Sequence, residues 1–549
     1  MPNCLTCKQS FIIEPDDREF YAKLNVPEPT HCPACRQQSR LAWRSERSLF
    51  YRPCDLCKKM HLSAYRANSP YRVYCLDCWY SDKWDQLEHG RDFDFSRPFF
   101  EQFHDIRKLA PRPSLFVTQG TIVNSDYCNA VTDIKSCYLI FSAFTCEDCY
   151  YCNFIRDSFN LMDCTEVYHS ERCFDCVNCD QSYNLIASDN CKGCRDSAFL
   201  FDCSGCSDCF GCANLRNQKF CLWNKQLSED DYKIERAKIN LASRRVYAEM
   251  KKKYDELKQR AVHKYAQGFN NLECTGDYLT RCKNARASFD CYEVEDSKYV
   301  TRLTGSQDCY DVDHFGHSGT EQCYSSVSIG TASKQLKFCT QVWENCYNVE
   351  YSDMCQKACS DCFGCVSLSH KKHCILNQQY TPEKYAALKD KIIAHMRATG
   401  EYGQWFPPAM AYCPYNDTLA QDYYPLTKAT AEAKGFIWAD DEQQPQPASC
   451  ALPDTLTAEH DLTKETFVCE MCGKNYRLAK QELELNSRMS VPLPEKCFQC
   501  RILDRLHRKN PRALYDRTCS HCSKPIQSSY APNRPERVYC EECYQKEIY

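Results

Sequence analysis

Four cysteine pairs open this chain and four close it, and the two sets share every gap. The first set runs Cys4-x2-Cys7, 24 residues, Cys32-x2-Cys35, 18 residues, Cys54-x2-Cys57, 17 residues, Cys75-x2-Cys78. The second runs Cys469-x2-Cys472, 24, Cys497-x2-Cys500, 18, Cys519-x2-Cys522, 17, Cys540-x2-Cys543. A CxxC turn offers two sulfurs to one ion and a second turn closes the tetrahedron, so each end is expected to hold two four-thiolate sites, four zinc ions in all. Sequential pairing is favoured, because the 17-residue gap is the ribbon spacing and each half is then self-contained; a cross-braced arrangement would alternate the knuckles. All ligands are thiolates and no position is left for water, so the sites read as structural rather than catalytic.

Two more constellations could do chemistry. Cys206-x2-Cys209-x2-Cys212 with Cys221, and Cys359-x2-Cys362-x2-Cys365 with Cys374, have the look of iron–sulfur ligation, although the closing cysteine comes after eight residues with no proline behind it. The same residues fall on a nine-residue cysteine step described below, and packing is favoured over metal for them. Arg36, Arg40, Arg44, Arg47 and Arg52 fall on one helical face with Trp43, Phe50 and Tyr51 between them, and Arg501, Arg505, Arg508, Lys509 and Arg512 repeat the design. Such stripes can grip phosphates, with Arg36, Arg40, Arg44, Arg47, Arg501, Arg505 and Arg508 as the expected nucleic-acid contacts. Equally, they can pack against an acidic surface of the same chain or of a partner. His169, His314, His317 and His370 lack ligand spacing and read as surface residues. No phosphate-binding glycine loop, HExxH or G-x-S-x-G is present, and no enzyme activity or small-molecule substrate is expected.

The elements that must position these residues come in duplicate. The segment Cys206-Ser-Asp-Cys209-Phe-Gly-Cys212, Cys221, Asn224-x-Gln226 recurs 153 residues later as Cys359 to Gln379, and each copy runs into a helix capped by Ser228 or Thr381, the latter with Pro382 at the first helical position. Upstream, cysteines recur nine apart: Cys128, Cys137 and Cys146, then Cys194, Cys203, Cys212 and Cys221. Nine residues suit one short strand and a tight turn, so two steps would close a coil of about 18 residues in a parallel β-solenoid with inward cysteine ladders. The expected fold is mainly β: two Cys-rich parallel β-solenoids, each followed by a helix, flanked by duplicated tandem zinc-ribbon modules. The boundaries read 1–90 zinc-ribbon module, 91–119 helical connector (a helix at Arg97 to Leu109), 120–225 first solenoid and 226–268 helix. They continue with 269–377 second solenoid, 378–400 helix, 401–460 irregular linker with the tract Gln443-Gln444-Pro445-Gln446-Pro447, and 461–549 zinc-ribbon module.

Composition narrows the setting. Of 46 cysteines, 16 belong to the terminal knuckles. The first knuckle follows Met1-Pro2-Asn3 at once, and no apolar stretch approaches the roughly 18 residues of a membrane span, so a cytoplasmic protein with reduced thiols is expected. Net charge is −4, but eight Lys/Arg against two acids between Arg36 and Arg66, and again between Lys496 and Lys524, make basic ends. Their expected partners are nucleic acid, a ribonucleoprotein or a protein, with no membrane. Metal- or redox-handling by the solenoid thiols, with extra zinc or an iron–sulfur cluster, is the alternative from another class. A pure protein-interaction scaffold is the third.

The runs Cys32-Pro-Ala-Cys35-Arg-Gln-Gln-Ser-Arg, Trp43-Arg-Ser-Glu-Arg-Ser-Leu, Cys54-Asp-Leu-Cys57, Tyr74-Cys-Leu-Asp-Cys78-Trp-Tyr-Ser-Asp-Lys-Trp-Asp85 and Gly90-Arg-Asp-Phe-Asp-Phe-Ser-Arg-Pro-Phe-Phe100 resemble an uncharacterised family of cysteine-rich zinc-ribbon proteins from candidate-phyla bacteria. The Cys-Phe-Gly-Cys segment with its Asn-x-Gln and helix is similar to that family's centre, so the resemblance covers most of residues 1–400. It implies zinc binding and no defined activity. Some relatives carry a label of CoA-transferase type, for which this chain has neither the nucleotide glycine loop nor the α/β alternation.

Overall fold

The computed structural model describes residues 1–314, 316–440, 446–456 and 461–549, and they divide into two units. The first unit comprises Met1–Leu115, Ala266–Asp440 and Arg512–Leu514; the second comprises Phe116–Tyr265, the described part of Asp441–Pro511, and Tyr515–Tyr549. Each unit therefore joins a terminal cysteine module to the β region that lies farther from it along the chain. The fold is mainly β, with several parallel sheets.

In the second unit the β region is a parallel stack whose register advances by twelve residues. Asn129 lies opposite Phe141 and Phe141 opposite Asn153, then Ile155 opposite Val167 and Ala198 opposite Phe210. The expected eighteen-residue return is thus replaced by twelve. The cause is a backbone with period three: from Asn124 to Trp223 nearly every third residue is left-handed, as at Asp148 (φ 52°), Asn160 (φ 54°), Asp163 (φ 55°) and Asp175 (φ 53°). Two extended residues and one left-handed residue make a corner, and Asn, Asp and Gly supply most of those corners because they tolerate that conformation best. Corner asparagines also tie rungs together, Asn184 donating to Asp196 (2.8 Å) and Asn178 to Asn190 (3.2 Å). The residue after each corner turns inward. The nine-residue cysteine step is three such triplets, three quarters of a rung, and so it does not itself stack.

From Cys128 to Cys212 the inward residues are Cys, Ser, Ile, Val, Leu and Ala, all buried. One column reads Cys146, Ser158, Ser170, Ser182, Cys194, Cys206, each twelve residues from the last. Its side chains donate to the carbonyl two residues back: Cys146 to Phe144 (3.2 Å), Ser158 to Arg156 (2.7 Å), Ser182 to Asp180 (3.0 Å) and Cys206 to Ser204 (3.5 Å). These carbonyls already accept an N–H from the next rung, Arg156 O from His169 (3.1 Å) and Asp180 O from Gly193 (3.0 Å), and the inward side chain adds a second donor. Cysteine fits because it is small, readily buried and still a weak donor.

The first unit's stack keeps the same design with insertions. Register is twelve at Gly276 opposite Ser288, fourteen at Ser306 opposite Thr320, and thirteen at Lys334 opposite Tyr347. The fourteen-residue step holds Asp311, Val312, Asp313 and His314, four consecutive residues with positive φ. His314 is buried there, not at the surface as expected; His169 and His370 are exposed, and the side chain of His317 lies outside the described residues.

Helices cover one face of each stack. Phe99–Leu109 lays Phe99 against Tyr351 and Phe363, while Thr381 caps Pro382–Ala398 by accepting from the Lys384 N–H (3.4 Å). In the other unit the single helix expected over 226–268 is two, Glu229–Ala237 capped by Ser228 and Arg244–Arg260 capped by Ser243. Tyr254 of the latter is fully buried against Phe199. The region taken as a linker is irregular but packed up to residue 440: Tyr402, Phe406, Met410, Tyr412, Tyr415 and Leu419 are buried, and the Tyr71 hydroxyl donates to Met410 O (3.1 Å). Of the Gln443 to Pro447 tract, Gln443, Gln444 and Pro445 lie outside the described residues; the Gln446 N–H donates to Asn475 (2.7 Å).

Candidate metal centres

Each terminal module builds its two sites from the same two parts. The first knuckle is a hairpin turn: the N–H of Cys4 donates to Gln9 O (2.9 Å) and that of Lys8 returns to Cys4 O (3.0 Å). The identical pair of bonds recurs at Cys54, Cys469 and Cys519, and the residue after the second cysteine is left-handed each time: Lys8, Lys58, Gly473, Ser523. The second knuckle starts a helix. Cys32 precedes Pro33–Leu41, Cys75 precedes Leu76–Trp79, Cys497 precedes Phe498–His507 and Cys540 precedes Glu541–Ile548. Two loops with rigid hydrogen-bonded ends thus aim four sulfurs at one point.

Among the described residues the ligand atoms form four groups: Cys4, Cys7, Cys32 and Cys35; Cys54, Cys57, Cys75 and Cys78; Cys469, Cys472, Cys497 and Cys500; Cys519, Cys522, Cys540 and Cys543. Knuckles therefore pair sequentially. Within each group all sulfurs lie within 4.8 Å of one another. The sulfurs facing across the knuckles are 3.8 Å apart for Cys7–Cys32, Cys57–Cys75 and Cys472–Cys497, and 3.7 Å for Cys522–Cys540. A tetrahedron with Zn–S bonds of about 2.3 Å has an edge of about 3.8 Å, so the spacing fits such an ion in all four.

Electrostatics fit a cation too. Burial pushes the Cys54 thiol up, but N–H groups of Cys57, Cys75 and Leu56 outweigh it and bring it down to about 7; the same geometry lowers Cys469 to about 7 and Cys519 to about 6. The last sulfur of a site goes the other way: burial and the neighbouring sulfurs raise Cys78 and Cys543 to about 12. Four thiolates cannot share so small a space without a positive ion among them. The metal those donors suit is a borderline-soft divalent ion such as zinc.

The triple-knuckle cysteines belong to the stacks. Cys206, Cys209, Cys212 and Cys221, like Cys359, Cys362, Cys365 and Cys374, are buried inward residues one or more triplets apart. Their thiols donate to carbonyls, Cys209 to Ser207 (3.3 Å), Cys212 to Phe210 (3.3 Å) and Cys365 to Phe363 (3.5 Å). They are not among the four groups with metal-ligand geometry.

The arginine stripes turn inward as well, which corrects their assignment as phosphate contacts. Arg36 pairs with Asp311 (2.8 Å), Arg40 with Asp313 (2.6 Å), and Arg44 donates to Asp313 O (2.9 Å) and pairs with Glu46. Arg47 pairs with Asp422 (2.6 Å). In the other unit Arg501 and Arg505 share Asp163 (2.6 and 2.8 Å), Arg505 also reaches Tyr151 O and Thr165, and Arg508 pairs with Asp175 (3.1 Å). Arg40 and Arg505 are 1% and 2% exposed, which leaves them no access to a nucleic acid. The residues that sequence reasoning missed are the receiving carboxylates. Asp163 and Asp175 occupy left-handed corners twelve residues apart, and Asp311 and Asp313 lie within the fourteen-residue step. The widened cysteine gap from Cys309 to Cys323 was the available signal.

No protein-family model matches the chain, and no curated protein matches it. Among the described residues no helix is long and apolar enough to cross a membrane.

Proposed function

We propose that the chain is a non-enzymatic scaffold stabilised by four zinc ions, in which the two parallel stacks are β-solenoids and the terminal modules are zinc ribbons. The carrying observation is the four equivalent Cys4 groups with sulfur spacings of 3.7 to 3.8 Å. A cytoplasmic setting accords with so many reduced thiols. Protein partners are favoured over nucleic acid, because the seven arginines that suggested phosphate binding are occupied within the chain. Membership of the zinc-ribbon family that the N-terminal motifs resemble belongs to the same reading.

The competing role, metal or redox handling by the interior thiols, draws on their proximity: Cys206 lies beside Cys194, Cys203 and Cys209. One measurement separates the two. Native mass spectrometry of anaerobically purified protein should give four zinc ions per chain and no visible absorbance. More than four ions, or iron with colour, would replace the scaffold reading by the thiol-store one. Fewer than four would remove the zinc-ribbon assignment. RNA binding by the intact chain at low salt would restore the nucleic-acid partner on other residues.

A further inference from the structure

In both units, the helix that supplies metal ligands is also the helix whose arginines are buried on the stack. Cys32 and Cys35 begin Pro33–Leu41, and Arg36 and Arg40 follow at one-turn intervals on the same face. Cys497 and Cys500 begin Phe498–His507, and Arg501, Arg505 and Arg508 follow. These helices have 9 and 10 residues, below the roughly 12 to 15 at which an isolated helix holds its shape in water. Neither has a side-chain cap at its N-terminus. At their first turns the knuckle sulfurs stand where a capping residue normally does. Beyond that turn, the helix is held by buried ion pairs that tolerate little displacement: Asp311 and Asp313 are fully buried, and Asp163 is 4% exposed.

We propose that the first metal site of each module is a latch: its ion keeps the arginine helix seated on the carboxylates of the stack, and loss of the ion releases that helix locally while the stack stays folded. The inference rests on the metal-binding reading above. Fixing the helix N-terminus sets the height of Arg36 over Asp311 and of Arg501 over Asp163. Because coupling is reciprocal, the carboxylates must in turn tighten the metal site.

The test uses the full chain. Native mass spectrometry first counts ions in the parent and in Cys472→Ser, which removes an exposed ligand of the C-terminal first site. Hydrogen exchange then follows amides of residues 501–507 against those of strand Asn153–Phe159. With one ion lost, the helix amides should lose about a hundredfold in protection while the strand amides keep theirs. A helix that stays protected without its ion, or a strand that loses protection equally, overturns the latch. As the reciprocal arm, Asp163→Asn should speed transfer of one ion to a chromogenic chelator about tenfold relative to the exposed control Asp230→Asn. An unchanged transfer rate in a chain that holds its ions overturns the latch alone; a parent chain that holds no ion overturns the metal reading with it.

Discussion

Replacing Cys206 by serine separates a packing cysteine from a metal ligand by magnitude. Cys206 is 1% exposed and continues the column that holds Ser158, Ser170 and Ser182. Its thiol donates to Ser204 O at 3.5 Å, and serines in that column make the same bond at 2.7 to 3.0 Å. The new hydroxyl therefore inherits a partner, and the loss is confined to the sulfur's apolar contacts, about 1 kcal/mol. A structural zinc contributes roughly 10 to 16 kcal/mol of binding free energy, so losing a true ligand removes several kcal/mol and the ion with it. Thermal unfolding should shift by only about 2 to 4 °C, with the ion count by native mass spectrometry unchanged. A variant that drops an ion, or melts more than about 10 °C lower, would refute the packing role of the triple knuckle.

Other outcomes follow from particular contacts. Arg505→Ala, measured by chemical unfolding, should cost about 3 kcal/mol, the lower end for breaking a buried pair, because Asp163 keeps Arg501. Gly211→Ala should be far more damaging than Gly193→Ala: both have left-handed backbones, but the new Cβ at 211 meets the Trp223 ring at 2.4 Å, whereas at 193 the nearest atom is 4.0 Å away. The second change should cost about 1 to 2 kcal/mol, the conformational penalty alone, and thermal melts of both variants decide the order. The Arg112 and Arg107 guanidiniums hold Asp353 at about 2, against a burial effect that alone would raise it above its ordinary 3.8. A depressed folded pKa contributes stability that is complete above about pH 4 and lost as pH falls toward 2, about 2 kcal/mol here. Asp353→Asn should flatten that part of an acid titration followed by near-ultraviolet circular dichroism.

The metal sites were legible because a knuckle is local: two cysteines three apart need only a turn, and repetition of the 24, 18 and 17 gaps supplied the pairing. The stack was legible only in outline. Cysteine marks a subset of inward positions, and Ser182, Leu185, Ser188 and Ser197 fill others, so the visible nine-residue step concealed a triplet that returns at twelve. Asn and Asp recurring at multiples of three residues (Asn160, Asp163, Asp175, Asn178, Asn184) carried the true period. The arginine faces were readable from helical spacing, but their destination was not. Arg36 lies 275 residues from Asp311 and Arg501 lies 338 from Asp163, and no periodicity spans such distances.

That separation sets an order on the ribosome. The second unit's stack is synthesised by about residue 222, while the helix that neutralises Asp163, Asp175 and Asp189 is complete only at His507. At roughly 5 to 20 residues per second, the 285 residues between (507 − 222) take about a quarter of a minute to a minute. Throughout that interval Asp163 and Asp175 await their arginines, while Asp189 can already pair with Lys258 of the helix that follows the stack. The unit is closed by a module made only after the stack, so a chain truncated before residue 497 would carry a finished stack whose Asp163 and Asp175 lack their arginines.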